Sequence, residues 1–375
     1  MLVALNVTLI SFTSVYFIYL LWQIMAWLQS PAYKPSARKF TTKVSLIIPC
    51  RNEEKNIAIC LDSILNQSYP ASLLEIIIAD DNSEDTTKKT CESLLKKSTV
   101  PWKYILVNGQ TPGKKKTIEE AIKESSGELL IITDADCTSS KDRISSIVSL
   151  YEEKHYQMIC GPVALTGEST FCEKFQGLEV SGLSVLAGGG IFSHSPLLAN
   201  GANIAYTRDA FERVNGFEGI NNIPSGDDTL LLFKINRQFP GQIGYIKNHD
   251  ALVYTKAQQG WHHFLQQRIR WASKGFHSKN YLNSLISLVV FVTNFLLLVL
   301  GIASLVYFSP NLTFISCLIV KFTIDFLLLT CATNFFKKQN LLFYFLAGEV
   351  ITVIYTSWVG LTANFSGYHW KGRDY

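Results

Sequence analysis

Charge is what this chain has least of. Only 17% of its 375 residues are Asp, Glu, Lys or Arg, against about a quarter in an ordinary soluble domain. The shortfall comes with 48% hydrophobic residues and a mean hydropathy of +0.17. Part of the chain therefore suits lipid better than water, and disorder and collagen-like repeats are excluded. A basic excess is lacking too. There are 34 Lys and Arg against 30 Asp and Glu, a net charge of +4, too small for a nucleic-acid binder. The eight cysteines (Cys50, Cys60, Cys91, Cys137, Cys160, Cys172, Cys317 and Cys331) form no CxxC pair, and no His stands at zinc-finger spacing from them. They read as small apolar residues of a reducing compartment. Neither G-x-G-x-x-G nor G-x-x-x-x-G-K-[ST] occurs, so a dinucleotide fold and a P-loop are not indicated. Gly188-Gly189-Gly190 reads as a flexible loop.

Long apolar runs account for the missing charge. Leu2 to Leu28 carries no charged residue, and as a helix would span about 40 Å, more than the hydrocarbon core of about 30 Å. A cleaved signal peptide fits poorly, because the run is too long and lacks a basic start and a small-residue cleavage site. Three more runs follow at Leu282–Phe308, Leu312–Phe336 and Leu341–Phe365. The expected organisation is a transmembrane helix at 1–29, a soluble domain at 43–280 with interfacial helices at its C-terminal end, three transmembrane helices at 281–366 and a tail at 367–375. Lys34, Arg38, Lys39 and Lys43 follow the first span, and Lys337-Lys338 lies between the last two. The positive-inside rule then puts the soluble domain in the cytoplasm of a multi-pass protein of the inner membrane. Lys321, Asp325 and Glu349 fall inside spans, where neutralisation of one another between helices is the reading of least cost.

Between the spans the chain alternates strand and helix. Val44–Pro49, Glu75–Ala79, Trp102–Val107 and Glu128–Thr133 read as strands. Asn56–Leu65, Asp85–Lys97 and Thr117–Ser125 read as helices. Short loops between them argue a parallel α/β sheet. Polar residues cluster just past the strand ends, at Arg51-Asn52-Glu53, Asp80-Asp81 and Asp134-Ala135-Asp136, the edge where open α/β sheets bind ligands. Two carboxylates one residue apart at a strand tip can share a hard divalent cation with substrate phosphates. Gly226-Asp227-Asp228 opens a further helix, where an Asp can also be no more than a cap. Gln267-Arg268-Ile269-Arg270-Trp271 lies in a basic, aromatic segment next to the first of the later spans, with the look of an interfacial helix.

In this order, and flanked by apolar spans, these marks resemble the membrane-bound family-2 glycosyltransferases, among them cellulose, hyaluronan and poly-N-acetylglucosamine synthases and ceramide and carotenoid glycosyltransferases. The strings that carry the resemblance are SLIIPCRNEE, IIIADDNSEDTT, GKKKTIEEAI, IITDADC, ANGANIAYTRDAF, SGDD and the QxxRW set Gln267, Arg270, Trp271. It implies a GT-A (Rossmann-like) nucleotide-sugar-binding domain and an inverting transfer from a nucleotide-diphosphate sugar to a lipid or glycan acceptor. Pro49, Glu53 and Asp81 would hold base and ribose, Asp134 the nucleotide, and Asp136 a Mg²⁺ or Mn²⁺ ion. Lys114 and Arg270 would contact the diphosphate, although Lys114-Lys115-Lys116 also reads as a solvated lysine cluster. Asp228 would be the general base, with Asp227 beside it to position or charge the site. Gly201, Asn203, Gln267 and Trp271 would line the acceptor side. The bilayer is an implied partner and nucleic acid is not.

Two readings compete. Asp134-Ala135-Asp136-Cys137-Thr138 matches the D-x-D-x-T string of haloacid-dehalogenase-like phosphatases, but there the string follows the first strand of the domain. A non-catalytic membrane assembly protein is the other, and it sits badly with a full set of carboxylates.

Overall fold

A computed structural model of the chain describes residues 2–36, 39–107, 113–221, 223, 226–275, 280–362, 369–370 and 373–374. Arg38, Ser225, the Lys274 side chain and most of the tail lie outside the described residues. In chain order the elements are α1 (Leu2–Gln29), β1 (Val44–Cys50), α2 (Ile57–Leu65), β2 (Leu74–Asp80), α3 (Thr87–Leu95), β3 (Trp102–Leu106), α4 (Lys114–Glu124), β4 (Leu129–Ile132), β5 (Thr138–Ser139), α5 (Arg143–Lys154), β6 (Met158–Cys160), β7 (Val163–Thr166) and α6 (Phe171–Phe192). Then come β8 (Ile204–Thr207), α7 (Arg208–Arg213), α8 (Thr229–Gln238), β9 (Ile243–Tyr245), β10 (Val253–Lys256), α9 (Gly260–Gly275), α10 (Tyr281–Val306), α11 (Leu312–Phe336), α12 (Phe345–Thr362), β11 (His369–Trp370) and β12 (Arg373–Asp374). The chain divides into two compact units. A sheet unit comprises Ser30–Thr166 and Gly190–Lys256, and a helical unit comprises Met1–Gln29, Gly167–Gly189 and Ala257–Tyr375.

The sheet unit is built on seven strands in the order β3-β2-β1-β4-β8-β6-β9. All seven residues of β1 are buried, which is why its run is apolar but for Ser45 rather than alternating. Each buried Ile there contributes about 1.5–3 kcal/mol over exposure. The first four strands are parallel, with Val44 opposite Leu74 on one side and Leu129 on the other, so their C-terminal ends share one edge. The parallel arrangement expected of these four strands is present. Strand β8, further along the chain, runs antiparallel to both β4 and β6. A three-stranded sheet, β5-β10-β7, completes the unit.

Among the described residues, four helical segments are long and apolar enough to cross a membrane, Leu2–Gln29, Tyr281–Val306, Leu312–Phe336 and Gln339–Thr362. All belong to the helical unit, where α1 packs on α10 and α11, and α12 on α9 and α10. Lys321 is fully buried between Asp325 at 2.7 Å and Glu349 at 2.5 Å, and the Tyr16 hydroxyl donates to Asp325 at 2.6 Å. One lysine thus links α1, α11 and α12. The Gly188-Gly189-Gly190 expectation is corrected here, since these residues lie within α6. A Cβ on Gly189 would stand 2.5 Å from the Gln23 carbonyl oxygen, so the missing side chain allows two helix backbones to touch.

Candidate active site

The parallel register determines what meets at the sheet edge. Strand β1 ends into Arg51-Asn52-Glu53, β2 into Asp81, and β4 into Thr133-Asp134. Antiparallel β8 adds the rest. Ile204, its first residue, pairs with Ile132, the last of β4, so the segment before β8 lies at the end of β4. Gly226 holds a φ of +83°, a left-handed conformation that favours glycine, and the chain turns there into Asp227, Asp228 and α8.

Lys114 is the centre of the cluster. Its Nζ lies 2.7 Å from Asp134 and 3.0 Å from Asp227. A Cβ placed on Gly201 would meet Lys114 Nζ at 3.1 Å, Asp227 Oδ2 at 3.4 Å and Asp228 Oδ2 at 3.5 Å, so the glycine marks where all three side chains converge. Burial works against the Lys114 ammonium, but the Asp134 and Asp227 carboxylates outweigh it and hold its pKa well above the usual lysine range. It stays charged at any neutral pH. Asp228 caps α8, accepting from Thr229 N at 2.6 Å, and also accepts from Gly201 N at 3.0 Å. The cap and the site are therefore one position. A carboxylate has about four acceptor sites, so these two contacts orient it and leave acceptor capacity.

Asp134, Asp136 and Cys137 bring their candidate ligand atoms within 4.8 Å of one another. Burial and the two neighbouring carboxylates push the Cys137 thiol well up, so it stays protonated, and a hard cation would take oxygen instead. Asp136, which is exposed, fits such an ion. Glu53 and Asp81 are buried at the same edge. Glu53 accepts from Asn56 Nδ2 at 2.9 Å. The neighbouring Asp80 is taken up by Tyr104 and by Ser83 N. Pro49 lies inside β1.

Asn203 is not at the surface of the site. It is 1% exposed and uses its amide on Arg143 Nε (3.0 Å), Pro162 O (2.9 Å) and Ala251 O (2.8 Å). That places it beneath Gly201 as a support. Arg143, which nothing in the sequence marked, also donates to Ile132 O and Ala202 O. It ties the end of β4 to the Gly201 segment, and burial pulls its guanidinium down to about 10. Gln267, Arg270 and Trp271 sit on α9 in the helical unit. Arg268 of the same helix is clamped to Glu179 of α6, lies over the Trp271 ring at 4.2 Å and donates to Gln267. The Tyr355 hydroxyl of α12 donates to the same Glu179.

The profile of the family described as Glycosyl transferase family 2 matches residues 45–213. A probable glycosyltransferase, YdaM, of Bacillus subtilis (strain 168) is 26% identical over 238 residues, 61% of this chain and 54% of that protein. A beta-monoglucosyldiacylglycerol synthase of Synechocystis sp. is 25% identical over 244 residues, 62% of this chain and 48% of that one. The chain thus spans about half the length of these curated relatives. The mannosyltransferase PcManGT of Pyrobaculum calidifontis, solved with GDP-Man and Mn²⁺, has the same fold, with a TM-score of 0.63 at 17% identity over 94% of this chain and 97% of that one. Residues 45–213 are thus a family-2 glycosyltransferase segment, set in a chain with a GT-A fold and a carboxylate-lined sheet edge.

Proposed function

We propose that the protein is an inverting hexosyl- or N-acetylhexosaminyltransferase. It moves a sugar from a UDP- or GDP-sugar to a lipid or glycan acceptor at the membrane, for cell-envelope glycolipid or polysaccharide synthesis. The observation that carries the proposal is the convergence of Lys114, Asp227 and Asp228 on Gly201, with Asp134 paired to the same lysine. In this reading Asp228 takes the proton of an acceptor hydroxyl. The hydroxyl oxygen forms a bond to C1, the C1–phosphate oxygen bond breaks, and its electron pair leaves with the nucleoside diphosphate. Lys114 gives up its carboxylates to neutralise that leaving group, together with Arg270. Pro49, Glu53, Asp81 and Asp134 hold the nucleotide. Asp136 would hold Mg²⁺ or Mn²⁺, which when bound supplies further charge stabilisation to the diphosphate. Gly201, Gln267 and Trp271 line the acceptor, with Asn203 supporting Gly201 from below.

The glycolipid-synthase relative and the four apolar helical segments support a lipid or membrane-borne acceptor. The D-x-D-x-T string follows the fourth strand of the sheet unit, which counts against the phosphatase reading. The domain limits 1–29, 43–280, 281–366 and 367–375 remain part of the proposal, with the sheet unit cytoplasmic at an inner membrane. Purified protein in detergent, given a panel of nucleotide sugars with Mn²⁺, is expected to release nucleoside diphosphate from at least one. Release from none, with phosphomonoester hydrolysis instead, would overturn the assignment. A reporter fused after Asn340 is expected to read cytoplasmic, and a periplasmic signal would reverse the topology.

A further inference from the structure

Lys115 follows the lysine at the centre of the site, yet it is not solvated. It is 7% exposed, and its Nζ donates to Ile220 O at 2.7 Å and Ile223 O at 2.6 Å. Those carbonyls belong to the segment that leads into Gly226-Asp227-Asp228. The far end of the same segment is held in the same way. Lys234 Nζ of α8 donates to Gly216 O at 2.5 Å and Glu218 O at 2.7 Å. Two ammonium groups therefore gather four carbonyls of one loop. The loop contains left-handed glycines at Gly216, Gly219 and Gly226, so its backbone has little intrinsic preference for one path. A buried ammonium must be matched by acceptors, and here loop carbonyls supply them.

We infer that Lys115 is a positioning residue for Asp227 and Asp228. It fixes the path by which the loop delivers the carboxylate pair to Gly201, and it does so from the helical turn whose first residue, Lys114, touches Asp227 itself. One turn of α4 thus governs both the charge on the pair and the place of the pair. Lys114 is free to follow the diphosphate while Lys115 keeps the acceptor-side carboxylate in register. The inference rests on the transferase reading for its kinetic consequence, but not for its structural one. Displacement of a reacting group by about 1 Å costs about 10²-fold in rate, so loosening this anchor should act on turnover and leave donor binding alone.

The test uses full-length protein in detergent, with Lys115→Met, Lys115→Gln, Lys115→Arg and Lys234→Met. Hydrogen exchange of the Gly216–Gly226 amides is expected to rise in Lys115→Met and Lys115→Gln, with β1, β2 and β4 unchanged. Turnover is expected to fall about 10–100-fold, while the Kd values of UDP and of GDP, each measured with Mn²⁺, stay within about twofold. Lys115→Arg, which can also donate to two carbonyls, should recover most of the loss. Lys234→Met should loosen Gly216–Glu218 with a smaller loss of rate. Turnover within twofold of the parent in Lys115→Met, a matching loss of nucleotide affinity, or failure of both Met and Gln variants to fold would each overturn the positioning role. If the parent protein turns over no nucleotide sugar, the transferase reading fails by itself, and the exchange data still decide whether Lys115 holds the loop.

Discussion

The two units each contain a lysine held between two carboxylates, with nearly the same geometry. In the sheet unit Lys114 lies 2.7 Å from Asp134 and 3.0 Å from Asp227. In the helical unit Lys321 lies 2.7 Å from Asp325 and 2.5 Å from Glu349. The surroundings differ. Asp136 beside the first cluster is exposed and Asp134 half-buried, and Gly201 leaves space at the centre. Lys321 is completely buried, with Tyr16 closing on Asp325. In the proposed reading, an ion triad of one geometry is a site where a ligand can reach it and a fastener where none can. Access, not the pairing, separates the two.

The largest effect expected is from chelation. EDTA should abolish turnover and Mn²⁺ or Mg²⁺ should restore it, because only the open cluster offers Asp136 to an ion. Thermal unfolding of the helical unit should not respond to the chelator, and full turnover in excess EDTA would remove the metal from the mechanism. Next comes Asp228→Asn, expected to lower kcat by about 10²–10⁴-fold with nucleotide binding little changed. Asn caps a helix as well as Asp, so a folded variant with normal turnover would move the base to Asp227. Asp136→Asn should instead weaken metal and donor binding together.

Lys321→Met should act on folding and not on chemistry. It strands two buried carboxylates, at a cost of about 3–5 kcal/mol, measured as thermal stability in detergent. The triple replacement Lys321→Met, Asp325→Leu, Glu349→Leu should recover most of that loss, since apolar residues of similar volume often replace a buried ion cluster without penalty. A stable triple variant that no longer transfers sugar would show the sealed cluster to be functional and erase the distinction. The smallest effect is expected from Gly201→Ala. The added methyl presses on the end of a flexible lysine, so stability should hardly change, while kcat falls about tenfold through displaced carboxylates. An unaltered kcat would mean that the convergence on Gly201 is not the reacting centre.

How much of this was legible in the sequence depended on range. Strands β1 to β4 and helices α2 and α3 were readable because each depends on its own run of residues and its own stops. The edge that gathers Arg51–Glu53, Asp81 and Asp134 followed from parallel order alone. What could not be read lies at long range. The antiparallel entry of β8 depends on its pairing with β4 and β6, which are distant in sequence. Gly189 reads as a loop residue unless its contact with the Gln23 backbone is known. Lys115 looks like one of three solvated lysines until Ile220 and Ile223 arrive from more than a hundred residues away. Arg143 carries no local signal, and the burial of Asn203 could not be read, since their partners are backbone carbonyls of distant segments and each other.

The interleaving of the two units bears on how the protein is made. All strands of the main sheet have been synthesised by Lys256, whereas the helical unit draws on Met1–Gln29, Gly167–Gly189 and everything from Ala257 onward. Domains tend to fold as units while the chain emerges. A ribosome that has passed Lys256 can therefore release a completed sheet unit while α1 and the first part of α6 still await α9 to α12. Glu179 has no Arg268 or Tyr355 until then. During that interval the segment Gly167–Gly189 has Gln23 of α1 to pack on but lacks its partners from α9 and α12.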